Sequence, residues 1–267
     1  MALPIRGYDK EALRDQFRAA NPFPFIAIDG FLEEDFAREV AAAYPNFEDA
    51  RRMGDEFSAV NEKLKVQVTD MEIFPAPVAR LSEAIAAPEF LADLEYITGI
   101  PRLLADPALR GGGMHLTNTS GRLDVHVDFN YIEEEALHRR LNILIYLNPE
   151  WSPDWGGSIE LWDSRVEHCG QSFLPALNRC VIFETSATSF HGVTAVTSPP
   201  EVLRRSFAAY YYTREAPAEW SGESHSTVFK ARPDEWFRGA VVMPMERLVH
   251  RARSLRGKLR DSLRARP

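Results

Sequence analysis

Between residues 113 and 213 the chain is a succession of short apolar runs, rich in Val, Ile, Phe and Tyr and separated by Gly, Pro, Asn and Asp. Such runs are too short for buried helices, and they carry the β-branched and aromatic residues that a pleated surface accommodates. They place strands near 113–117, 122–129, 140–147, 157–162, 180–184, 191–195 and 204–212. Seven or eight short strands in this span define a sandwich or a barrel.

The segment before them has a different texture. Phe25 to Ile28 reads as a short strand closed by the turn Asp29-Gly30. Leu32, Phe36 and Val40 recur every four residues until Pro45, which predicts an amphipathic helix. Residues 46–66 are charged and weakly patterned and read as a mobile loop. Residues 74–100 read as two short helices broken at Pro88. No linker interrupts the chain. The expectation is one structural domain: an N-terminal strand and helices over 1–112, a β core over 113–214, and a C-terminal extension over 215–267.

Charge and cysteine usage narrow the function classes. Net charge is −8, yet from Arg247 onward eight basic residues meet one acid, Asp261. The body is therefore strongly acidic and offers no footprint for nucleic acid. The basic end carries Leu248, Ala252, Leu255 and Leu259 at helical spacing. It reads as an amphipathic helix packing on the acidic body, with a membrane surface or a partner as the alternative. There is no apolar run of membrane-spanning length and no secretory h-region. Cys169 and Cys180 are the two cysteines, too few and too far apart for a disulfide scaffold or a cysteine-based zinc site. A reducing compartment, the cytoplasm, is expected.

The stretch LDVHVDFNY, residues 123–131, sets His126 and Asp128 two apart in an alternating run. Residues i and i+2 share one face of a strand, so Leu123, Val125, Val127 and Phe129 are expected on the other. Two polar groups on one face are either a solvated edge or part of a metal site. His191, in TSFHGV near the end of the β core, supplies the third donor of a 2-His-1-carboxylate set, which suits Fe(II) and leaves coordination positions open. Thirteen residues later comes LRRSFAAYYYT, where Arg204, Ser206, Ala208 and Tyr210 share a face. An arginine aimed into a β core needs an anion, and a carboxylate is its natural bidentate partner. Alternation alone does not decide whether Arg204 or Arg205 points inward.

The order H-x-D, H, R-x-S resembles the Fe(II)/2-oxoglutarate-dependent dioxygenases, on the prolyl 4-hydroxylase-like branch. LNILIYLNPEWSPDWGGSIELW resembles that branch's second core strand, its Y-L-N-x-x-W turn and its glycine-bearing third strand. NRCVIFETSATSFHGV resembles the segment that delivers the distal histidine, and PFPFIAIDGFLEEDFAREV the N-terminal strand and helix. The resemblance spans roughly residues 22–213. It implies a double-stranded β-helix, a jelly roll packed by N-terminal helices, with the metal between its sheets.

By that resemblance His126, Asp128 and His191 are the iron ligands. Arg204 and Ser206 belong to the 2-oxoglutarate site, with Tyr146 bonding the same carboxylate. Asn142 and Leu144 share a strand face with Tyr146, so Asn142 also lines the pocket. His115 stands where the family often has a tyrosine near the co-substrate; it either bonds 2-oxoglutarate or fills space. The implied cofactors are Fe(II), 2-oxoglutarate and O2, with ascorbate as reductant. The implied reaction is hydroxylation of an unactivated C–H bond, most naturally in a prolyl or other amino-acid side chain of a peptide or protein. Oxidation of a free amino acid or small metabolite is the alternative, and a non-catalytic jelly-roll metal binder is the alternative from another class. Asp128 argues for hydroxylation over halogenation, whose catalysts carry a small residue there; desaturation and epoxidation stay open. Glu133, Glu134 and Glu135 either flank the entrance or form a solvated loop. Trp151, Trp155 and Trp162 are expected to anchor the fold. Oligomeric state is left open.

Overall fold

A computed structural model describes residues 3–59 and 61–235. The basic C-terminal helix expected around Leu248 lies outside the described residues.

Helix α1 (Lys10–Ala19) starts at Asp9, whose carboxylate accepts the amides of Glu11 and Ala12, and it buries Leu13 and Phe17. Strand β1 (Phe25–Asp29) and helix α2 (Glu34–Ala43) follow as the apolar spacing predicted. Residues 46–66 are a correction to the expected loop. They form α3 (Phe47–Met53), β2 (Asp55–Ser58) and most of β3 (Glu62–Val68). The charges that masked this order are paired along α3, Arg51 with Glu48 and Arg52 with Asp49. Asn46 caps the helix through the Asp49 amide. Helices α4 (Ala76–Ala86) and α5 (Pro88–Thr98) break at Pro88, and Gly99 ends α5 in the left-handed region, φ 74°.

A two-residue strand β4 (Leu104–Ala105) leads into β5 (Gly113–Val127). The two strands expected at 113–117 and 122–129 are thus one, bent at Ser120, where φ is 65°. Then come β6 (Tyr131–Ile132), β7 (Leu137–Tyr146), β8 (Ile159–Trp162), β9 (Cys169–Phe173), β10 (Arg179–Glu184), β11 (His191–Val193), β12 (Arg204–Thr213) and β13 (Val228–Phe229). Strands β4, β6, β9 and β13 are too short or too polar to have been read in advance; helix α1 was missed although Asp9 as cap and Leu13 and Phe17 four apart signal it.

The strand order is β1-β10-β7-β12-β5-β11-β8-β9. The first half of β5 pairs with β12 and the second half with β11. One long strand therefore belongs to both sheets of a jelly roll. The outer face of the larger sheet, including Leu116, Ile143, Ile145 and Phe207, packs on Phe36, Val40, Leu81 and Phe90 of the helices. Each such side chain contributes roughly 1.5–3 kcal/mol on burial. The inner face is a smaller cluster around Tyr146, Val181, Phe183, Ile159 and Leu161. The inner-face residues form rows across strands. Ser206 stands opposite both His115 and Tyr146, and Arg204 stands opposite Thr117. No helix among the described residues is long and apolar enough to cross a membrane.

Candidate active site

The first donors come from β5 and the turn after it. Within the ladder His191 of β11 lies directly opposite His126 of β5, and Val193 lies opposite Leu123. Three residues on one strand thus span four on the other, a bulge. The bulge moves Leu123 to the same side as His126, where both line one cavity. This corrects the simple alternation, which put Leu123 on the far face. Val125 and Val127 do face away, against Trp162 and Phe190.

His126, Asp128 and His191 converge so that one donor atom from each lies within 4.8 Å of the others. His126 Nε2 is 3.5 Å from Asp128 Oδ1, and His191 Nε2 is 3.4 Å from Oδ2. The rings lie 4.4 Å apart. Both Nδ1 atoms meet backbone carbonyls, that of Asp124 at 2.9 Å and that of Ser189 at 3.0 Å. A carbonyl only accepts, so each Nδ1 carries a proton, and Nε2 is the ring atom that faces the carboxylate. Burial and neighbouring His126 push His191 down to about 4, so it is neutral at pH 7. Burial alone would raise Asp128, but the adjacent Arg139 guanidinium holds it well below the usual carboxylate range. Two imidazoles, each tied at Nδ1 to a backbone carbonyl, and one carboxylate fit a divalent cation such as Fe(II).

The same cavity, partly open to solvent, contains Arg204, 5% exposed. Its Nε donates to the Gly157 carbonyl at 2.6 Å and its Nη1 to Ser206 Oγ at 3.4 Å. The guanidinium lies 5.1 Å from the Tyr146 ring centre. Among the described residues no carboxylate faces it, and burial lowers its pKa. The Tyr146 hydroxyl is buried without a hydrogen-bond partner, and burial pushes its pKa up to about 12. A buried cation beside an unsatisfied hydroxyl fits a carboxylate-bearing ligand. Arg205 is on the other face, toward the α2 carbonyl of Ala41. His115 donates from Nε2 to the Gly111 carbonyl at 3.2 Å. Burial first, then Lys65 and Arg204, keep it neutral. It lines the cavity, as does Asn142, whose Nδ2 donates to Asp128 Oδ2 at 2.8 Å.

Thr117, Arg122, Ile159 and Val193 also line the cavity and escaped sequence reading, as did three residues with contacts of note. Lys65 comes from the hairpin taken for a loop; it lines the cavity while paired to Glu62 at 2.8 Å. Phe229 of β13 lies 5.3 Å from the His126 ring. Arg139 is buried beside Asp128, 3.2 Å from Oδ2. None of Glu133, Glu134 and Glu135 lines the cavity; Glu133 and Glu134 are exposed and Glu135 pairs with Arg110. Trp151 and Trp155 stack edge-on at 5.7 Å, and Trp162 sits in a core cluster, so all three anchor the fold.

Gly157 has φ +68°, and a Cβ there would lie 3.0 Å from both Arg204 Cδ and Trp151 Cζ2. Gly157→Ala is therefore expected to displace Arg204 and to raise the 2-oxoglutarate requirement about tenfold, with about 1 kcal/mol of backbone strain. Titrating co-substrate in a decarboxylation assay checks this; an unchanged requirement would mean that Arg204 tolerates the shift.

A jelly roll with a buried His-Asp-His cluster, and a buried arginine that no described carboxylate faces, is an arrangement able to hold a metal ion beside an anionic ligand. The sequence model of the 2OG-Fe(II) oxygenase superfamily matches residues 112–213. Prolyl 3-hydroxylase OGFOD1 of Mus musculus is 34% identical over 84 residues, 30% of this chain and 15% of that protein. The Xenopus laevis protein of the same name is 39% identical over 72 residues, 25% of this chain and 14% of that protein. The matched stretch thus spans about a seventh of these relatives' length. In fold, a prolyl hydroxylase from Trichoplax adhaerens, solved with a hypoxia inducible factor peptide fragment, superposes with TM-score 0.53 at 18% identity, over 76% of this chain and 90% of that one. A prolyl-4-hydroxylase of Pseudomonas putida superposes with TM-score 0.52 at 16% identity, over 78% and 100%. Residues 112–213 are thus similar to the 2OG-Fe(II) oxygenase superfamily, and the relatives matched over part of this stretch are prolyl hydroxylases. Fe(II), 2-oxoglutarate and O2 are that family's cofactors.

Proposed function

We propose that this chain hydroxylates a C–H bond of a prolyl or other amino-acid side chain within a peptide or protein. The observation that carries the reading is buried Arg204, which faces no carboxylate among the described residues, in the cavity that also holds the His-Asp-His cluster. In this reading His126, Asp128 and His191 hold Fe(II). Arg204 takes the distal carboxylate of 2-oxoglutarate, with the Tyr146 hydroxyl and Ser206 completing its cradle. His115, fixed by Gly111, lines the co-substrate pocket as a neutral donor or filler. Fe(II), when bound, supplies the oxidation of 2-oxoglutarate by O2 that is coupled to C–H hydroxylation.

The chain's own residues bind, orient and keep water out. The carbonyls of Asp124 and Ser189 fix the imidazole tautomers. Leu123, Leu144, Ile159 and Val193 give the cavity apolar walls, which strengthens the Arg204–carboxylate attraction by lowering the local dielectric. The helices pack on the β core through one continuous apolar cluster, which supports a single structural domain. Cys169, exposed, and Cys180, buried, are free thiols, in keeping with a reducing, cytoplasmic setting.

The relatives' names favour a protein substrate over a small metabolite. Incubating the protein with Fe(II), 2-oxoglutarate, ascorbate and candidate prolyl peptides should yield succinate and a gain of one oxygen by mass spectrometry. Oxygen gain on free amino acids alone would transfer the reading to a small metabolite. Absence of any 2-oxoglutarate conversion in the metal-loaded protein would leave a metal-binding jelly roll.

A further inference from the structure

Asp128 is held by a polar group that the family resemblance did not anticipate. Arg139 is 3% exposed, with its guanidinium 3.2 Å from Asp128 Oδ2. Its Nε and Nη2 both donate to Asn142 Oδ1, at 3.1 and 3.0 Å, and Asn142 Nδ2 donates to the same Asp128 Oδ2 at 2.8 Å. The guanidinium is sandwiched between aromatic rings, 3.5 Å from the Tyr210 centroid and 4.6 Å from that of Phe129. Cation–π contacts of a desolvated arginine add to its rigidity. Arg139 and Asn142 thus support each other and converge on one oxygen.

A carboxylate oxygen has two lone pairs. At Oδ2 the Asn142 amide and the Arg139 cation compete for both. Among the described residues Oδ1 has no amide or guanidinium donor; each oxygen has one imidazole neighbour, His126 Nε2 at Oδ1 and His191 Nε2 at Oδ2. We propose that Arg139 and Asn142 are positioning residues that reserve Oδ2 and so keep Asp128 a one-oxygen ligand, leaving the remaining metal positions for the co-substrate. This deepens the proposed function, since it rests on Asp128 being a metal ligand. A cation beside a ligand carboxylate weakens metal attraction, so strengthening the metal bond does not explain the arrangement. Restricting the carboxylate to one oxygen does, because a second Asp128 oxygen on the metal would take a position that a chelating keto acid needs.

The test is binding without turnover. Co(II) serves as probe, since its d–d absorption reports coordination number. The parent chain, His126→Ala, Asn142→Ala, Arg139→Met and Arg139→Lys are each titrated with Co(II) and then with 2-oxoglutarate. In Asn142→Ala and Arg139→Met, Co(II) affinity is expected to hold or tighten. Affinity of the Co(II) protein for 2-oxoglutarate should fall about tenfold or more, and the Co(II) spectrum before co-substrate should change. Arg139→Lys keeps the charge but loses the fork, and should recover only part of the 2-oxoglutarate affinity. Co(II) affinity falling in step with melting temperature would overturn the proposal in favour of plain structural support, and so would unchanged 2-oxoglutarate affinity. If Arg139→Met does not fold, Asn142→Ala decides. If the parent chain binds no Co(II), or His126→Ala binds it equally well, the metal-site reading itself has failed; otherwise only the positioning role is on trial.

Discussion

Asp128→Ala is expected to abolish turnover and also to destabilise the metal-free protein, whereas His126→Ala abolishes turnover with little loss of stability. Both remove a metal donor, but their surroundings differ. Asp128 is the ion-pair partner of buried Arg139, and stripping one partner from a buried pair costs about 3–5 kcal/mol. For a chain of this size that is on the order of a 10 °C fall in melting temperature. His126 loses a carbonyl contact and some packing against Phe229, and it leaves no buried charge unmatched. Calorimetry of the metal-free proteins, alongside succinate assays, reads both effects. Turnover surviving in either variant would show that the triad is misassigned. Equal melting temperatures would show that Arg139 finds another partner.

The second large effect concerns two adjacent arginines. Arg204→Ala should raise the 2-oxoglutarate requirement by two to three orders of magnitude. The co-substrate carboxylate would then be desolvated with no counter-charge, a penalty of about 3–5 kcal/mol, or roughly 10²–10³ in affinity. Arg205→Ala should leave that requirement nearly unchanged, because Arg205 lies on the helix side of β12, against Ala41. Its effect should appear as a modest loss of stability. The reverse ranking in co-substrate titrations would contradict the phase of β12.

The placing of Arg204, Ser206 and Tyr210 on one inner face was legible because β12 alternates regularly over those residues. The same regularity in β7 set Asn142, Leu144 and Tyr146 together. Legibility stopped where a strand gains a residue. Leu123 was assigned to the wrong side because the Leu123–His126 stretch bulges against β11. Arg139 was invisible for the same reason. Tyr211 pairs with Leu141 but Tyr212 pairs with Arg139, so Arg140 is the extra residue and Arg139 turns inward with Asn142, three positions away. Period-two reasoning has no term for such an insertion. The β2–β3 hairpin was missed because its two strands are rich in Asp, Glu and Lys. Its order comes from pairing with β5, a long-range partner that a local pattern does not record. The convergence of His126, Asp128 and His191 was legible from H-x-D, although Asp128 lies just past the end of β5, and the family resemblance chose His191 among seven histidines.

Strand β5 carries His115, Thr117 and His126, and on each flank it is hydrogen-bonded to other strands: β3 and β12 on its first half, β3, β11 and β13 on its second. Amides in such a strand exchange with solvent only when the neighbouring ladders open together. Hydrogen exchange should therefore place the amides of 114–117 and 125–126 in the slowest class, released only by global unfolding. Those of β2, paired on one side alone, should exchange far sooner. The metal cluster would then have no private route to disassembly. Its loss on heating would coincide with melting of the whole β core, and a bound metal would raise that single transition instead of protecting a local one.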